Sequence, residues 1–303
     1  VDFPAKFLKI TEENRWLIGE SNSSESLDHQ SASNGGFDVW VINEQNGTII
    51  WEQSFGGADG EGAVDALVNN NSEVLLLCNS HSGISGNKTV ESFGGADFWL
   101  IKLDLNGTIL WQKSYGGSAD DYPVKIIPHS GGYLLLGNSR SPLSGNKSKG
   151  NIGKSDIWLV NVDDDGNIIN QSVIGTSESD IAEDGALLND NELVISSTSF
   201  GGIENDKEVP HYGIGDCWVF KFNFISDDII AQVSLGGVDS EELSTLNLID
   251  NNIYVGITSW SDQSGNKSTN NYGEQDVWLV QLSEDLQIIS QASFGGNDQD
   301  TPV

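Results

Sequence analysis

Short apolar segments alternate with polar, glycine-rich segments along the whole chain. Residues 157–162 show the pattern well: Trp158, Val160 and Val162 fall on one face of an extended chain, and the residues between them fall on the other. A period of two residues predicts β-strands, and no segment carries the longer period of an amphipathic helix. Folds that alternate strands with helices are therefore disfavoured.

Turn residues divide these strands into hairpins. Asn46-Gly47, Asn106-Gly107 and Asp165-Gly166 each stand between two apolar segments, and such pairs favour the tight turns that join antiparallel strands. The later repeats carry Ser226-Asp227 and Glu284-Asp285 at the same place. The pattern predicts four short strands per unit, with a long loop between the second and third and a tight turn between the third and fourth.

Two sequence anchors recur at one fixed period. The first is Asp-x-Trp, and its tryptophans are spaced by 59, 59, 60 and 60 residues; they are Trp40, Trp99, Trp158, Trp218 and Trp278. The second is an aromatic or aliphatic residue followed by two glycines, except that Thr176 replaces one glycine; it occurs at Phe55, Tyr115, Ile174, Leu235 and Phe294. Both anchors keep the same period over the whole chain, which indicates a tandem repeat.

Four antiparallel strands per unit, repeated in tandem, are typical of propeller blades. A lone four-stranded sheet cannot bury both faces, whereas radial packing of blades does so, with the repeated Trp residues between blades. The sequence therefore predicts an all-β fold, a β-propeller of five four-stranded blades, as one domain over residues 1–303. The repeats are predicted at about 2–60, 61–120, 121–179, 180–240 and 241–299. Residues 300–303 begin a sixth repeat or an exit linker, so a larger ring stays open as an alternative.

The chain is strongly acidic, with 45 Asp and Glu residues against 14 Lys and Arg and a formal net charge of −31. Such a charge disfavours nucleic acid and anionic membrane surfaces, because phosphate binding needs Lys and Arg. It is compatible with cations, basic partners and neutral sugars, and it also keeps an exported protein soluble. No apolar run reaches the ~18 residues that cross a membrane as a helix, so we expect no direct membrane insertion.

Cysteine usage and the chain start bear on the cellular location. Cys78 and Cys217 lie on predicted strands of different repeats, and their spacing fits neither a disulfide framework nor a zinc site. We expect both to be buried thiols. The chain contains no Met and opens at Val1 in phase with the repeat, so we expect a processed segment of a longer, exported polypeptide.

The repeat resembles a known family. The segments that carry the resemblance are residues 132–139, 156–160, 103–107 and 111–121. They are similar to a tandem-repeat β-propeller family common in large exported surface proteins of Bacteroidetes-type bacteria and of some archaea. The resemblance implies a secreted or surface-anchored propeller, usually within an adhesin-like or uncharacterised multidomain protein, and it carries no catalytic residues. The fourth repeat departs most, at Thr176 and in the loop 201–206, which puts a binding site there in doubt.

An acidic residue opens each repeat, on the face where we expect the links between blades and the long loops to emerge. These residues are Asp2, Glu61, Asp121, Asp180, Glu241 and Asp300. Converging carboxylates can hold Ca²⁺ through oxygen ligands, so calcium is the cofactor that this ring suggests, and no other is predicted. The alternative is that each carboxylate accepts backbone N–H groups of its own turn.

The motif Ser-Gly-Asn-Lys recurs in the long loops expected on the same face. Its candidate ligand-binding residues are Ser85, Asn87, Lys88, Ser144, Asn146, Lys147, Ser264, Asn266 and Lys267. Long loops are often functional, and these side chains offer donors for sugar hydroxyls or for the carboxylates of a partner. The alternative is a compact loop that satisfies its own hydrogen bonds, with the glycine in a left-handed turn.

The pattern favours a binding module over an enzyme. Catalytic carboxylates in a propeller should occur in one blade only, and Glu183 is the best candidate, standing where other repeats have Ala5, Val64, Val124 or Ser244. The four histidines fall at different phases of the repeat. We therefore expect a non-enzymatic, exported or cell-surface module, adhesin-like, that binds a glycan or protein through several loops on one face of the propeller. Two alternatives stay open: a scaffold of a surface assembly without its own ligand, and a glycoside hydrolase-type enzyme with carboxylates in the funnel.

Overall fold

The computed structural model describes residues 2–24, 31 and 33–302, without the side chains of Asp2 and Pro4. β-Strands form the regular structure of this part of the chain, and no helix occurs in it. It follows that no helix among these residues is long and apolar enough to span a membrane.

The strands fall into five groups of four in chain order. The first group is β1 (Asp2–Lys9), β2 (Asn14–Ser21), β3 (Asp38–Gln45) and β4 (Thr48–Phe55). The second is β5 (Glu61–Val68), β6 (Val74–Ser80), β7 (Asp97–Leu103) and β8 (Ile109–Tyr115). The third is β9 (Asp121–His129), β10 (Gly132–Ser139), β11 (Asp156–Val162) and β12 (Ile168–Ile174). The fourth is β13 (Asp180–Asn189), β14 (Glu192–Ser199), β15 (Asp216–Asn223) and β16 (Asp228–Leu235). The fifth is β17 (Glu241–Ile249), β18 (Asn252–Ser259), β19 (Asp276–Leu282) and β20 (Ile288–Phe294).

Each group forms one four-stranded sheet in which neighbours along the chain are neighbours in the sheet. The chain is thus all-β with five four-stranded sheets, and the prediction of a five-bladed β-propeller is confirmed. The predicted repeats begin where β5, β9, β13 and β17 begin, because the acidic residue of each repeat is the first residue of a blade.

The first strand of a blade carries an irregularity at a recurring position. Its pairing with the second strand shifts between Ala63 and Asp65 in the second blade and between Ala182 and Asp184 in the fourth. Corresponding shifts occur in the first and fifth blades. A β-bulge of this kind leaves one residue unpaired and redirects its side chain. In the fourth blade that residue is Glu183.

The chain divides into two compact units. The first comprises Val1–Leu135, Ser139–Gly150 and Val162–Gln171, and the second comprises Leu136–Asn138, Asn151–Asn161 and Ser172–Val303. That the whole chain is one domain stays a prediction.

In the first unit, a rear face of the first blade packs on a front face of the second. We define the rear face by Trp16, Ile18, Val39, Val41 and Phe55, and the front face by Ala66, Leu76, Cys78, Trp99 and Ile101. All ten side chains are at most 3% exposed and form one apolar cluster. Burial of apolar area on this scale is the main favourable term in holding two sheets together.

The second unit repeats this packing at equivalent positions. The rear face of the fourth blade contributes Val194, Cys217, Val219 and Leu235, and the front face of the fifth contributes Leu246, Val255, Ile257, Trp278 and Val280. The prediction that the repeated Trp residues form core is confirmed at four positions, where they are 0% exposed, whereas Trp40 is only half-buried. Both cysteines are free, fully buried thiols, as predicted, and burial raises the pKa of Cys217 to about 12.

Candidate functional site

The acidic residues that open the blades are buried and bonded to their own turns. Glu61 is 2% exposed, and its Oε2 accepts the Gly57 N–H at 2.8 Å while its Oε1 accepts the Ser80 hydroxyl at 2.7 Å. Backbone N–H groups four residues earlier donate in the same way to Asp121, Asp180 and Glu241, at 2.7, 2.6 and 2.7 Å. These contacts match the alternative stated for the sequence, in which each carboxylate accepts backbone N–H groups of its own turn.

This arrangement bears on the calcium hypothesis. The Asp300 Oδ2 atom also accepts a backbone N–H, from Gly296 at 2.7 Å, and the Asp2 side chain lies outside the described residues. Among the described residues, no group of three or more His, Cys, Asp or Glu side chains is placed to hold a metal ion. A calcium site at the acidic ring stays a prediction.

The aspartate of each Asp-x-Trp element binds a second turn. The Oδ2 atoms of Asp38, Asp97 and Asp216 accept the N–H of the residue four positions earlier, at 2.5, 2.6 and 2.7 Å. The Oδ1 atom of Asp97 faces Gly116, where a Cβ would lie only 1.8 Å from it. The two sequence anchors are therefore the two halves of one contact, and the glycine is required because no side chain fits beside the carboxylate.

Burial sets the acidity of these aspartates. Desolvation raises the pKa of Asp97, the backbone and side-chain hydrogen bonds from Phe93 and Ser92 lower it, and the nearby Asp121 raises it again. Asp38 follows the same pattern, with desolvation first, hydrogen bonds from Asn34 opposing it and Glu61 adding to it. Paired buried carboxylates disfavour double ionisation, because two like charges repel each other strongly away from water.

The side chains of the Ser-Gly-Asn-Lys motif form hydrogen bonds within their own loop and to the preceding repeat. Lys88 is 1% exposed, and its Nζ donates to the Ser82 carbonyl at 2.6 Å. The Asn87 Oδ1 accepts the Gly56 N–H at 2.9 Å, and its Nδ2 donates to the Ser54 carbonyl at 2.7 Å. Asn146 and Asn266 make both bonds, and Lys147 and Lys267 are as deeply buried, at 3% and 2% exposed.

The serine and the glycine of the motif also have structural roles. Ser85, Ser144 and Ser264 accept backbone N–H groups from the turn of the preceding repeat, at 2.8, 2.8 and 3.1 Å. Gly86 has φ +55°, a left-handed conformation that glycine adopts without strain. Desolvation lowers the pKa of Lys88, and nearby carboxylates oppose this. The geometry is that of the self-satisfied loop; a ligand-binding role for these side chains stays a prediction.

The fourth repeat keeps this geometry although its motif differs. Asp206 replaces the asparagine, and its Oδ2 accepts the Gly175 N–H at 3.0 Å. Asn205 takes the left-handed conformation of the glycine, with φ +50°, and Lys207 is 0% exposed. Glu204 accepts the Ser177 N–H at 3.3 Å, the role that serine has elsewhere. The loop thus departs from the shared motif in sequence but keeps the bonds to Gly175 and Ser177, while the Asp206 side chain has no N–H group to donate as the asparagines do.

In the fourth repeat, the hydroxyl group that bonds to the acidic residue comes from a different loop. In the third blade, the Ser141 hydroxyl donates to Asp121 at 2.8 Å and accepts the Ala119 N–H at 3.0 Å. In the fourth, Gly201 replaces that serine, and the Thr176 hydroxyl donates to Asp180 at 2.7 Å. A Cβ at position 201 would lie 2.0 Å from the Thr176 hydroxyl oxygen. The residues at positions 176 and 201 are thus coupled, because the Thr176 side chain occupies the space that a side chain at position 201 would need.

Exposed apolar residues at the tips of the long loops were missed by the sequence reasoning. Ile84, Leu143 and Ile203 occupy one position of the repeat, directly before the Ser-Gly-Asn-Lys or equivalent residues, and are 58%, 68% and 67% exposed. In the first unit, the loop of Leu143 packs beside Phe93, because a Cβ at Gly145 would lie 2.9 Å from the Phe93 side chain. The signal was available: an apolar residue recurs inside an otherwise polar loop.

Glu183 is a titratable group of the second unit whose pKa is strongly shifted. It is the unpaired residue of the bulge in β13, and its Oε1 accepts the Thr198 hydroxyl at 3.0 Å. Desolvation raises the pKa of Glu183 to about 7, the Thr198 bond lowers it, and the charge of Glu242 adds to the rise. The unmatched acid noted in the sequence is therefore a half-buried carboxyl group able to exchange a proton near neutral pH.

Comparison with solved structures finds proteins with partial structural similarity to this chain. Kuenenia stuttgartiensis hydrazine synthase is 8% identical with a TM-score of 0.54, over 98% of this chain and 67% of that one. A mutant of Synechocystis apocarotenoid oxygenase is 13% identical with a TM-score of 0.43, over 92% of this chain and 57% of that one. A B. megaterium levansucrase mutant is 9% identical with a TM-score of 0.41, over 99% and 86%. No protein-family model and no curated protein matches the chain.

These comparisons change two expectations. The propeller part of the family resemblance is supported, but no family match supports the exported repeat family. The prediction that the chain is not an enzyme is contradicted, because a solved structure of this fold, hydrazine synthase, is an enzyme. At 8% identity the likeness to hydrazine synthase shows the fold alone, and it assigns no reaction.

Proposed function

We propose that this propeller acts as a binding module that contacts a protein partner through the apolar tips of its long loops. The observation that carries the proposal is the exposure of Ile84, Leu143 and Ile203, at 58% to 68%, at one position of three successive repeats. An exposed apolar side chain that recurs at the tip of a loop is available to contact a partner at each of these loops. Export to the cell surface, within a longer polypeptide, belongs to the same proposal and rests on the family resemblance.

The buried parts of the loops support this function indirectly. Each tip is followed by residues whose side chains are bonded within the loop or to the preceding repeat, as Asn87 and Lys88 are. A tip held in this way loses little conformational entropy on binding, and preorganisation of this kind increases affinity. The polar motif thus positions the apolar contact residue.

Peptide selection tests the proposal. Peptides are selected from a displayed library on the wild-type protein, and their affinities are measured by calorimetry for a triple variant, Ile84→Ser, Leu143→Ser and Ile203→Ser. We expect that variant to lose binding by at least about 30-fold, the effect of removing one interface hot spot. A glycan array run in parallel, with calcium and with EDTA, tests the glycan alternative.

A matched control variant separates the loop tips from exposed apolar residues in general. It carries serine at Ile50, Ile169 and Ile230, which are 53%, 54% and 48% exposed on the fourth strands of three blades. We expect the control to bind the selected peptides as the wild type does. Wild-type affinity in the loop-tip variant would reject the proposal.

A second candidate function is general acid–base catalysis by Glu183 on a glycoside. The raised pKa of about 7, the bulge that holds the side chain and the neighbouring Glu242 favour it. Glycoside hydrolysis commonly uses one protonated and one ionised carboxyl group. We expect activity on a panel of chromogenic glycosides to be lost in Glu183→Gln and in Glu242→Gln, and retained in the exposed control Glu208→Gln. Activity that persists in Glu183→Gln would exclude this residue as the acid.

A further inference from the structure

A polar cavity of about 520 Å³ lies between the second and third blades. The turn between β5 and β6 forms one wall, with Asn69 and Asn70, and the end of β9 with the turn after it forms the other, with His129 and Ser130. Every residue that lines the cavity belongs to the first compact unit. Its volume falls within the range of about 300–1,000 Å³ that is usual for small-molecule sites.

Hydrogen bonds fix the wall that the second blade supplies. The Asn69 Oδ1 atom accepts the N–H groups of Asn71 and Glu73, at 3.0 and 2.9 Å, and the Asn69 N–H donates to the Glu73 carbonyl at 2.9 Å. Ser72 in the same turn has a left-handed backbone, with φ +61°. Residues in such sparsely populated conformations are common at ligand sites. The turn presents Asn70 at the rim of the cavity, where this residue is exposed.

The lining residues belong to a hydrogen-bonded network that joins the two blades. The Asn69 Nδ2 atom donates to the Tyr133 hydroxyl at 3.3 Å and to the Glu73 Oε2 at 2.8 Å. The Lys102 Nζ atom lies 2.6 Å from the Glu73 Oε2 and donates to the Asp164 carbonyl at 3.4 Å. Tyr133 and Lys102 are 3% and 7% exposed. The walls are therefore held in place before a ligand arrives, and such preorganisation increases affinity.

These contacts bear on the class of ligand. The hydrogen bond from Lys102 lowers the pKa of Glu73, so the two groups form an ion pair. An anionic ligand is disfavoured, because the charge of Lys102 is already paired and Asp164 adds a carboxylate to the lining. A neutral sugar has hydroxyl groups that each donate and accept hydrogen bonds. The amide of Asn70 and the hydroxyl of Ser130 offer donors and acceptors to match.

We propose that this cavity binds a neutral saccharide. Asn70 and Ser130 contact its hydroxyl groups from the two walls, and the Asp164 carboxylate accepts hydrogen bonds from them. The turn between β5 and β6 and the long loop that carries Ile84 leave opposite ends of β6, so the site is separate from the loop tips. The inference is therefore independent of the proposed function.

The second unit has a cavity of about 480 Å³ at the equivalent junction, between the fourth and fifth blades. The Asn189 Nδ2 atom donates to the Glu192 carboxylate at 2.9 Å, which repeats a contact of Asn69. Asp250 stands where the first cavity has Ser130, so a carboxylate replaces a hydroxyl group in this lining. We therefore expect the neutral saccharide to prefer the first cavity and to bind one molecule per chain.

An array of neutral mono-, di- and trisaccharides of hexoses and N-acetylhexosamines tests the proposal on the full chain. Calorimetry then measures the affinity of an array member that binds for the wild type, Asn70→Ala and Ser130→Trp. We expect one-to-one binding by the wild type and a loss of about 10-fold in Asn70→Ala, the effect of one lost hydrogen bond. Ser130→Trp should abolish binding, because the indole fills the cavity.

Two controls locate the site. Asn106→Ala changes an exposed asparagine in the turn between β7 and β8 of the second blade, and it should bind the saccharide like the wild type. The triple loop-tip variant should also keep this binding, which separates the site from the proposed function. Thermal unfolding checks that each variant is folded. An array on which no saccharide binds the wild-type chain would overturn the inference, and so would an affinity that is unchanged in both Asn70→Ala and Ser130→Trp.

Discussion

The pH dependence of folding stability provides a quantitative test of the Glu183 environment. In the folded chain, desolvation raises the pKa of this carboxyl group from an ordinary value of 4.5 to about 7. Between these two values the folded protein binds more protons than the unfolded chain, so stability falls as the pH rises through this window. The difference corresponds to about 3 kcal/mol between the two protonation states, since one pH unit is worth about 1.4 kcal/mol.

The substitution Glu183→Gln removes this titration and keeps the size of the side chain. We expect the variant to gain about 3 kcal/mol relative to the wild type between about pH 4 and pH 8, because only the wild type buries an ionised group at the higher pH. Urea unfolding followed by tryptophan fluorescence at a series of pH values measures this difference. In the Glu242→Gln variant, the fall in stability that accompanies ionisation of Glu183 should occur at a lower pH than in the wild type, because the charge of Glu242 raises the pKa of Glu183.

The control is Glu208→Gln, which changes a solvent-exposed glutamate. Its stability relative to the wild type should not depend on pH over the same window. A stability difference for Glu183→Gln that is the same at every pH would refute the reasoning, because it would show that the carboxyl group titrates alike in the folded and unfolded chains.

Three further predictions concern the contacts that fix the turns. Thr176→Gly should lower the free energy of unfolding by about 1–3 kcal/mol, because it removes a hydrogen bond to a buried carboxylate, and Gly201→Ser should lower it by a similar amount through crowding. The double variant should lose much less stability than the sum of the two single variants, and a double-mutant cycle measured by urea unfolding tests this. Gly116→Ala should destabilise by about 3 kcal/mol or more, whereas Gly60→Ala, with free space around its Cβ, should be nearly neutral in melting experiments. Asn87→Ala should cost about 2 kcal/mol, because it leaves two backbone groups of the preceding repeat without a partner, and thermal unfolding measures it.

The architecture was predictable because it depends on periodic features. Three periodic features report local or nearest-neighbour packing: the strand alternation, the hairpin turns and the fixed spacing of Trp99, Trp158, Trp218 and Trp278. Each of these tryptophans is fully buried. The starts of the blades followed for the same reason, since Glu61, Asp121, Asp180 and Glu241 are each the first residue of both a repeat and a strand. Features that repeat constrain one another and leave few folds to choose from.

The role of the polar motif was not predictable from the same information. Lys88 in a polar loop is expected to be a surface donor, yet it is buried, and Asn87 bonds to a glycine 31 residues earlier. Only the three-dimensional arrangement shows that these donors are already used. The reverse error concerned Ile84, because its recurrence with Leu143 and Ile203 was visible in the sequence but the exposure of these side chains was not. The non-enzyme expectation failed because it argued from symmetry, and symmetry does not limit what a fold can host.

The coupling of Thr176 and Gly201 constrains the order in which the two substitutions can occur without a steric clash. If threonine had arisen while a serine still stood at position 201, the two side chains would have competed for one space, given that a Cβ there lies 2.0 Å from the threonine hydroxyl oxygen. Loss of the serine first opens a path through an intermediate with glycine at both sites, weakened but not obstructed. Substitutions at the two positions are then epistatic, and the reverse mutation becomes deleterious once both have occurred. Two repeats can therefore keep a hydrogen bond to the equivalent carboxylate although the residue that donates it stands at a different position of the repeat.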